Sequence, residues 1–144
     1  MAITYNNDFK DILVALKNKI KAEIKCPVVD DENSMSRNNF FIQLDPQGSE
    51  QGDTTKYSEH STYNILIKLF FMDRKQPKFQ NYVLDKCSML NALIHDNPTL
   101  ALASGRSAYN LRSGDLDFSL EIEGYEDYVV HSFDFSCEYL SNFG

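Results

Sequence analysis

Residues 115–123 read Asp-Leu-Asp-Phe-Ser-Leu-Glu-Ile-Glu, and apolar and polar side chains alternate through the whole stretch. A period of two predicts a β-strand with one buried side and one solvent-facing side, which is typical of antiparallel sheets. The acidic members of the polar side are Asp115, Asp117, Glu121 and Glu123. The stretch therefore indicates an antiparallel sheet that carries concentrated negative charge on its outer face.

The flanking sequence extends this strand into a hairpin. We expect a strand over residues 108–123, bent at Gly114, then a turn at 124–127 and a second strand over 128–140. Alternate residues of the second strand share one face, and they are Val129, His131, Phe133, Phe135, Cys137 and Tyr139. The hairpin would form the C-terminal half of the sheet.

Two further strands are predicted upstream. Residues 40–44 form a short apolar run that Pro46 and Gly48 terminate, and residues 61–73 alternate over a longer distance. The long strand is apolar on both sides, because Leu66, Phe70 and Met72 fall opposite its main apolar face. It is therefore either central and covered on both faces, or it presents an apolar face to a partner.

Helical spacing of apolar residues predicts two amphipathic helices, at about 8–25 and 77–95. Asn7 or Asp8 caps the first helix, and Pro27 disfavours helical geometry at the residue before it. The sequence predicts a single α+β domain over residues 1–144. Its antiparallel four-stranded sheet carries two helices on one face, in the order αββαββ.

The segment 46–60 is polar and contains two glycines, so we expect a long loop there. Such a loop is either disordered or becomes ordered when it docks on a neighbouring subunit or partner. The side chains predicted to make such contacts are Gln47, Glu50, Asp53, Lys56 and Tyr57. Leu66, Phe70 and Met72 of the long strand are predicted to join them.

The net charge of −7 is unevenly distributed. The last thirty residues contain eight carboxylates and no Lys or Arg, so the first 114 residues sum to about +1. An acidic chain disfavours tight wrapping of nucleic acid, which needs cations to displace counterions. No leader sequence and no apolar run long enough to span a membrane is present, so we expect folding in a cytosol.

The sequence gives little sign of catalysis, of a metal site or of a cofactor. Three widely spaced cysteines and three histidines form no metal-binding or nucleophile motif, and no phosphate-binding glycine loop is present. We therefore expect reduced structural thiols and no enzymatic activity. The four carboxylates of 115–123 could be a cation site, a plain solvated surface, or an anionic wall facing something that must not adhere.

The order of helix, strand, polar segment, long strand, helix and hairpin resembles that of the tail terminator proteins of tailed bacteriophages. The resemblance is carried by the Phe9–Ile24 helix, the Ser61–Asp73 strand, the Tyr82–Ile94 helix and the final strand ending in Cys137-Glu138-Tyr139-Leu140. Related head–tail connection and tail completion proteins have similar outlines. The resemblance covers nearly the whole chain and rests on length and architecture.

The resemblance implies a virion protein that assembles in the host cytoplasm. Members of that family form a ring, commonly a hexamer, that caps the tail tube and meets the head-side connector. The chain would then contact itself, the tube protein and neck proteins, while DNA only passes through. Asp115, Asp117, Glu121 and Glu123 would line the channel and repel the passing DNA. The alternatives are another neck protein, either for head closure or tail completion, and a small cytoplasmic ligand-binding or enzymatic domain.

Overall fold

The computed structural model describes residues 8–29, 40–54, 58–72, 79–102, 105–120 and 128–142; at 51, 53–54, 58–59, 79, 115–120 and 141–142 it describes the backbone only. The elements in chain order are α1 (Asp8–Ile24), β1 (Val28–Val29), β2 (Phe40–Thr54), β3 (Ser58–Met72), α2 (Phe79–Asp96), β4 (Thr99–Ala101), β5 (Ser107–Leu120) and β6 (Tyr128–Asn142).

Both predicted helices are confirmed to within a few residues. In α1 the buried positions recur every fourth residue, at Ile12, Leu16, Ile20 and Ile24, so one stripe of the helix faces the sheet. Lys25 follows in the left-handed conformation with φ 59°, and its N–H donates to the carbonyl of Lys21, which closes the last turn.

The sheet has six strands in the order β1-β2-β3-β6-β5-β4, so β3 and β6 lie at its centre. They pair antiparallel along their full length, from Ser58 opposite Asn142 to Met72 opposite Tyr128. β2 pairs antiparallel with β3, and the predicted pairing of β5 with β6 is present. The predicted bend at Gly114 coincides with a register shift between Ser113 and Leu116.

The prediction of four antiparallel strands was incomplete. The two additional strands, β1 and β4, have only two and three residues, which is too short for a period of two to be visible in the sequence. β1 also pairs parallel to β2, with Val28 opposite Ile42, so the sheet is mixed.

The prediction of a loop over 46–60 was wrong. β2 continues through Thr54 and β3 begins at Ser58, so a long hairpin replaces the loop and only 55–57 fall outside the described residues. Residues 46–50 of β2 are exposed, so this part of the strand carries no apolar alternation. A register shift between Pro46 and Gly48 interrupts the pairing, and Gly48 adopts φ 152°, a conformation that favours glycine.

The main core lies between the helices and one face of the sheet, which we call the helix-covered face. It combines the buried stripe of α1 with Val83, Cys87 and Leu90 of α2 and the odd-numbered residues of central β3 and β6. The predicted shared face of β6 is confirmed, since Val129 packs against this core and Phe133, Phe135, Cys137 and Tyr139 belong to it. Both helices therefore cover the same side of the sheet, as predicted.

A second buried cluster lies on the opposite side of the sheet, the outer face. It consists of Phe41, Phe70, Tyr128 and Val130, and we call it the outer aromatic cluster. The rings of Phe41 and Phe70 stack with centroids 4.5 Å apart, and the Tyr128 ring meets both edge-on. This end of the outer face is therefore internal to the chain.

Candidate assembly surfaces

The far end of the outer face carries a group of polar side chains that we call the polar cluster: His60, Tyr109, Asn110 and Glu138. Glu138 lies on β6 between its neighbours on β3 and β5, opposite Thr62 and Tyr109. His60 Nε2 lies 2.9 Å from Glu138 Oε1, and Asn110 Nδ2 donates a hydrogen bond to Oε2 of the same carboxylate. One carboxylate thus ties three adjacent strands together.

The electrostatics of the polar cluster favour the ionised form of Glu138. The hydrogen bond from Asn110 lowers the pKa of Glu138 below its ordinary value, and His60 and Arg112 act in the same direction against partial desolvation. Tyr109 responds in the opposite sense, because desolvation and the nearby Glu138 charge both raise its pKa. The cluster therefore keeps a fixed negative charge on a partly exposed surface.

Two glycines allow the backbones of β2 and β5 to come close to side chains on the neighbouring strands. A Cβ at Gly52 of β2 would overlap with Nδ1 of His60, so a larger residue there would displace that imidazole. On β5, a Cβ at Gly114 would lie 2.9 Å from the Cβ of Asp134. Both positions lie on the part of the sheet that the outer aromatic cluster does not cover.

Between the two clusters the outer face is polar and slightly hollow. Lys68 Nζ lies 3.4 Å from Asp45 Oδ2, which joins β3 to β2 by an ion pair. Beside it, a depression of about 410 Å³ is bordered by Gln47, Asn64, Arg112 and Asp134. This surface combines both signs of charge with amide groups, which is the composition of a contact rim.

The structure separates the residues predicted to make contacts. Gln47 and Glu50 are exposed on the β2 side of the hairpin. Asp53 lies in β2 by its backbone, while Lys56 and Tyr57 lie outside the described residues. Gln47, Glu50 and Asp53 therefore lie on a paired strand of the sheet rather than on a loop.

The three apolar residues predicted to make contacts differ in their exposure. Leu66 and Met72 are partly exposed on the outer face. Phe70 is fully buried in the outer aromatic cluster, so its ring has no surface to offer a neighbouring chain. Of the two sequence alternatives, internal coverage applies to Phe70, and an external contact stays a prediction for Leu66 and Met72.

The four acidic residues predicted to face a channel are described only in part. Asp115 and Asp117 belong to β5, and Asp117 pairs with Ser132 of β6. For these two residues the structure describes the backbone only. Glu121 and Glu123 lie outside the described residues. Their orientation toward a channel stays a prediction.

The described residues contain no group of three or more His, Cys, Asp or Glu side chains that could hold a metal ion. The three cysteines are free and buried, as predicted, and burial raises the pKa of Cys26 and Cys87 to about 11 and that of Cys137 to about 12. Within the described part of the chain, no helix is long and apolar enough to cross a membrane.

Sequence reasoning missed the polar cluster. His60 and Glu138 are far apart in the sequence, and they meet only because β3 and β6 pair in one particular register. Neither residue stands in a motif, so only a prediction of the β3–β6 register would have brought them together.

No family model matches the chain, and no curated protein matches its sequence. Solved structures do match its fold. A chain from the virion of a native gene transfer agent particle has a TM-score of 0.66 at 12% identity, and the match covers 95% of this chain and 100% of that one. The sheath/tube terminator of an extracellular contractile injection system (PVC), in its extended state, has a TM-score of 0.60 at 11% identity, covering 99% of this chain and 58% of that one.

At these identities the likeness is one of fold. The resemblance to tail terminators that the sequence indicated is confirmed at that level, because one of the two structures is described as a sheath/tube terminator and the other as part of a virion. Both matches extend over nearly the whole of the present chain.

Proposed function

We propose that this chain is a structural protein of a phage tail or tail-like particle, and that copies of it form a ring that caps the tail tube and joins it to the head-side connector. The observation that supports the proposal is the fold match over 95% of the chain with a chain of a gene transfer agent virion, and over 99% with the sheath/tube terminator of a contractile injection system. The proposal includes six copies per ring, assembly in the host cytoplasm, and no catalysed reaction.

The outer face supplies surfaces suited to such contacts. Leu66 and Met72 are partly exposed apolar side chains on a rigid central strand. The exposed polar residues Gln47 and Glu50 lie on the adjoining strand. Apolar positions within a polar rim are the usual composition of a protein contact.

The acidic residues Asp115, Asp117, Glu121 and Glu123 are proposed to line the channel of the ring. A wall of like charge repels the DNA backbone, so DNA passes without adhering. Cryo-electron microscopy of the assembled ring tests this directly. An outward orientation of these residues would reject the channel assignment while leaving the ring itself standing.

The ring is tested by measuring the mass of the purified protein by size-exclusion chromatography with light scattering, alone and with tail tubes. We expect a hexamer, either in solution or on the tube ends in electron micrographs. A stable monomer that does not bind tube ends would reject the proposal and favour the small ligand-binding or enzymatic domain.

The contact surface is tested with a matched pair of variants that make the same substitution at two sites. Leu66→Gln replaces a partly exposed apolar side chain on the outer face, and Leu84→Gln replaces an exposed one on α2, which covers the opposite side of the sheet. We expect Leu66→Gln to weaken ring formation at least tenfold with an unchanged circular dichroism spectrum. Leu84→Gln should assemble like the parent protein.

Particles made without the protein separate termination from other neck functions. Overlong tails indicate loss of a terminator. Tails of normal length that fail to join heads indicate a head-closure or tail completion protein. The second candidate is kept because the matching gene transfer agent chain is described only as part of the virion, without its position.

A further inference from the structure

Two pairs of carboxylates border the central strand β3 on the outer face. In each pair, one carboxylate lies on β2 and the other on β6, and both are opposite the same residue of β3. The pairs are Asp45 and Asp134 beside Leu66, and Glu50 and Glu138 beside Thr62. Leu66 is partly exposed. β3 therefore offers an apolar position within an acidic border, and we call this surface the acidic strip.

Cations of the same chain neutralise the acidic strip only in part. Lys68 Nζ lies 3.4 Å from Asp45 Oδ2, and the Lys68 side chain is only 12% exposed. Arg112 and His60 act on the Glu138 end of the strip. Among the outer-face side chains that the structure describes, four carboxylates thus stand against two cations and one imidazole. A surface that complements this one is basic, with an apolar group among its charges.

The exposed side of α1 has this composition. Lys10, Val14 and Lys21 are exposed, and Lys17 lies between them and is partly exposed. Their spacings of four, three and four residues place them in one row along the helix, which we call the lysine row. Val14 is aliphatic and yet 40% exposed. Residues 8–25 carry five lysines and three carboxylates, so the helix is basic as a whole.

The dimensions of the two surfaces agree. Two strand spacings separate the β2 carboxylates from those on β6, which is about 10 Å. An α-helix with its side chains is about 10–12 Å wide. Val14 and Lys21 are about 10 Å apart along the helix axis, while Leu66 and Thr62 are about 14 Å apart along β3. The flexible stem of a lysine covers the difference. With Val14 on Leu66, Lys21 therefore reaches the second pair of carboxylates.

The two surfaces cannot meet within one chain, because α1 lies on the helix-covered face and the acidic strip on the other side of the sheet. A contact between them joins two copies head to tail, and such a contact closes into a ring when the rotation between copies divides a full turn. We propose that the lysine row of one copy docks on the acidic strip of the next, with Val14 against Leu66. This inference rests on the proposed ring and names the surfaces that form it.

Charge reversal on each surface tests the contact. Lys17→Glu/Lys21→Glu reverses the lysine row, and Glu50→Lys/Asp134→Lys reverses the acidic strip. The two variants change the net charge of −7 by four, to −11 and −3 respectively. We expect each variant alone to weaken ring formation at least tenfold, measured as mass by light scattering, because like charges then face each other at every contact. Circular dichroism checks that each variant is folded.

Mixing the two variants supplies the sharper result. Every contact between unlike variants pairs opposite charges, so an equimolar mixture should form alternating rings to within about twofold of the parent protein. Both variants remain acidic overall, so nonspecific attraction does not explain such restoration. The control Gln80→Glu/Ser88→Glu adds two carboxylates at exposed positions of α2. It should assemble like the parent protein.

Cross-linking locates the contact without reversing any charge. In Val14→Cys/Leu66→Cys the two thiols lie on opposite sides of the sheet, so a short bismaleimide joins them only between chains. Leu84→Cys/Leu66→Cys is the control, since Val14 and Leu84 are both 40% exposed but Leu84 lies on α2. The three native thiols are buried and give little background. We expect at least a fivefold higher yield of linked chains with Val14→Cys than with Leu84→Cys.

The outcomes separate this contact from the ring itself. If the parent protein forms rings, then unaffected assembly of either reversal variant, a mixture that fails to assemble, or equal cross-linking yields would overturn the contact and leave the ring standing. If a reversal variant fails to fold, the cross-linking yields decide. A parent protein that stays monomeric with and without tail tubes would overturn both the ring and the contact.

Discussion

The two faces of the central strands β3 and β6 follow different rules. On the helix-covered face, apolar residues continue along most of both strands, from Tyr63 to Phe71 and from Phe133 to Tyr139. On the outer face the chemistry changes along the strand, from the outer aromatic cluster at one end to the polar cluster at the other. The helix-covered face thus packs into the main core along most of its length. The outer face is buried at the end that carries the outer aromatic cluster and partly exposed at the end that carries the polar cluster.

The strongest test compares Phe70 and Phe71, adjacent residues on opposite faces that are both fully buried. We expect Phe71→Ala and Phe70→Ala each to lower the free energy of unfolding by about 3–5 kcal/mol, because each leaves a ring-sized cavity. Urea denaturation followed by circular dichroism measures both. A loss below about 1 kcal/mol for Phe70→Ala would show that the outer aromatic cluster is not a second core.

The middle of β3 should show the asymmetry directly. Ile67 is fully buried on the helix-covered face, whereas Leu66 is partly exposed on the outer face. Ile67→Ala is expected to lower the free energy of unfolding by about 2–5 kcal/mol. Leu66→Ala should lower it by about 1 kcal/mol or less, since the side chain remains in contact with water.

Equal losses for the two variants in urea denaturation would remove the distinction between the faces. A Leu66→Ala protein that unfolds normally but assembles poorly would assign this residue to contacts between chains.

Gly114 tests how closely β5 approaches β6 on the outer face. In Gly114→Ala the added methyl would lie 2.9 Å from the Asp134 Cβ, closer than ordinary carbon contacts. We expect a loss of about 1–3 kcal/mol in the free energy of unfolding, as for overpacked sites. Adding Asp134→Gly should restore most of this loss, and a double-mutant cycle measures the coupling.

If the loss persists in the Asp134→Gly background, the cause is the β5 backbone at the register shift rather than the contact with Asp134.

The helices and strands that could be predicted from the sequence are those that bury one row of side chains against the rest of the protein. The α1 stripe from Ile12 to Ile24 and the alternation of β3 leave a visible period because each element has one buried face. β1 and β4 are too short to show a period, and the outer half of β2 is exposed at 46–50, so its backbone pairing leaves no trace in the pattern of side chains.

The candidate surfaces were predictable only in part. Gln47 and Glu50 are exposed, but they lie on a strand rather than on the expected loop, and their role in contacts stays a prediction. Phe70 is apolar on the outer face, and the sequence does not distinguish a ring covered by Phe41 and Tyr128 from one offered to a partner. The polar cluster needed the register of three strands, which no local pattern specifies.

A smaller effect is expected from His131, a buried residue on the helix-covered side whose ring lies 5.9 Å from that of Phe71. Burial lowers the pKa of His131 below its ordinary value of 6.5. The unfolded chain then binds a proton that the folded chain resists, so stability falls as pH drops below about 6.5. In urea denaturation across pH, His131→Gln should remove this slope; an unchanged slope would assign it to another group.

Titration of Glu138 on the outer face should lower the free energy of unfolding in a separate pH range, below that of His131. This is the smallest effect that we predict. Because the pKa of Glu138 is held below its ordinary value of 4.5, its ionised form stabilises the fold at neutral pH, and this contribution is lost as pH falls below about 4.5. The carboxylate is partly exposed, so the loss should stay under about 1 kcal/mol. Urea denaturation between pH 6 and pH 3 should give a shallower acid slope for Glu138→Gln than for the parent protein, while the slope that depends on His131 stays in place. If Glu138→Gln instead removes the slope near pH 6.5, the two faces titrate as one unit and the division between them fails.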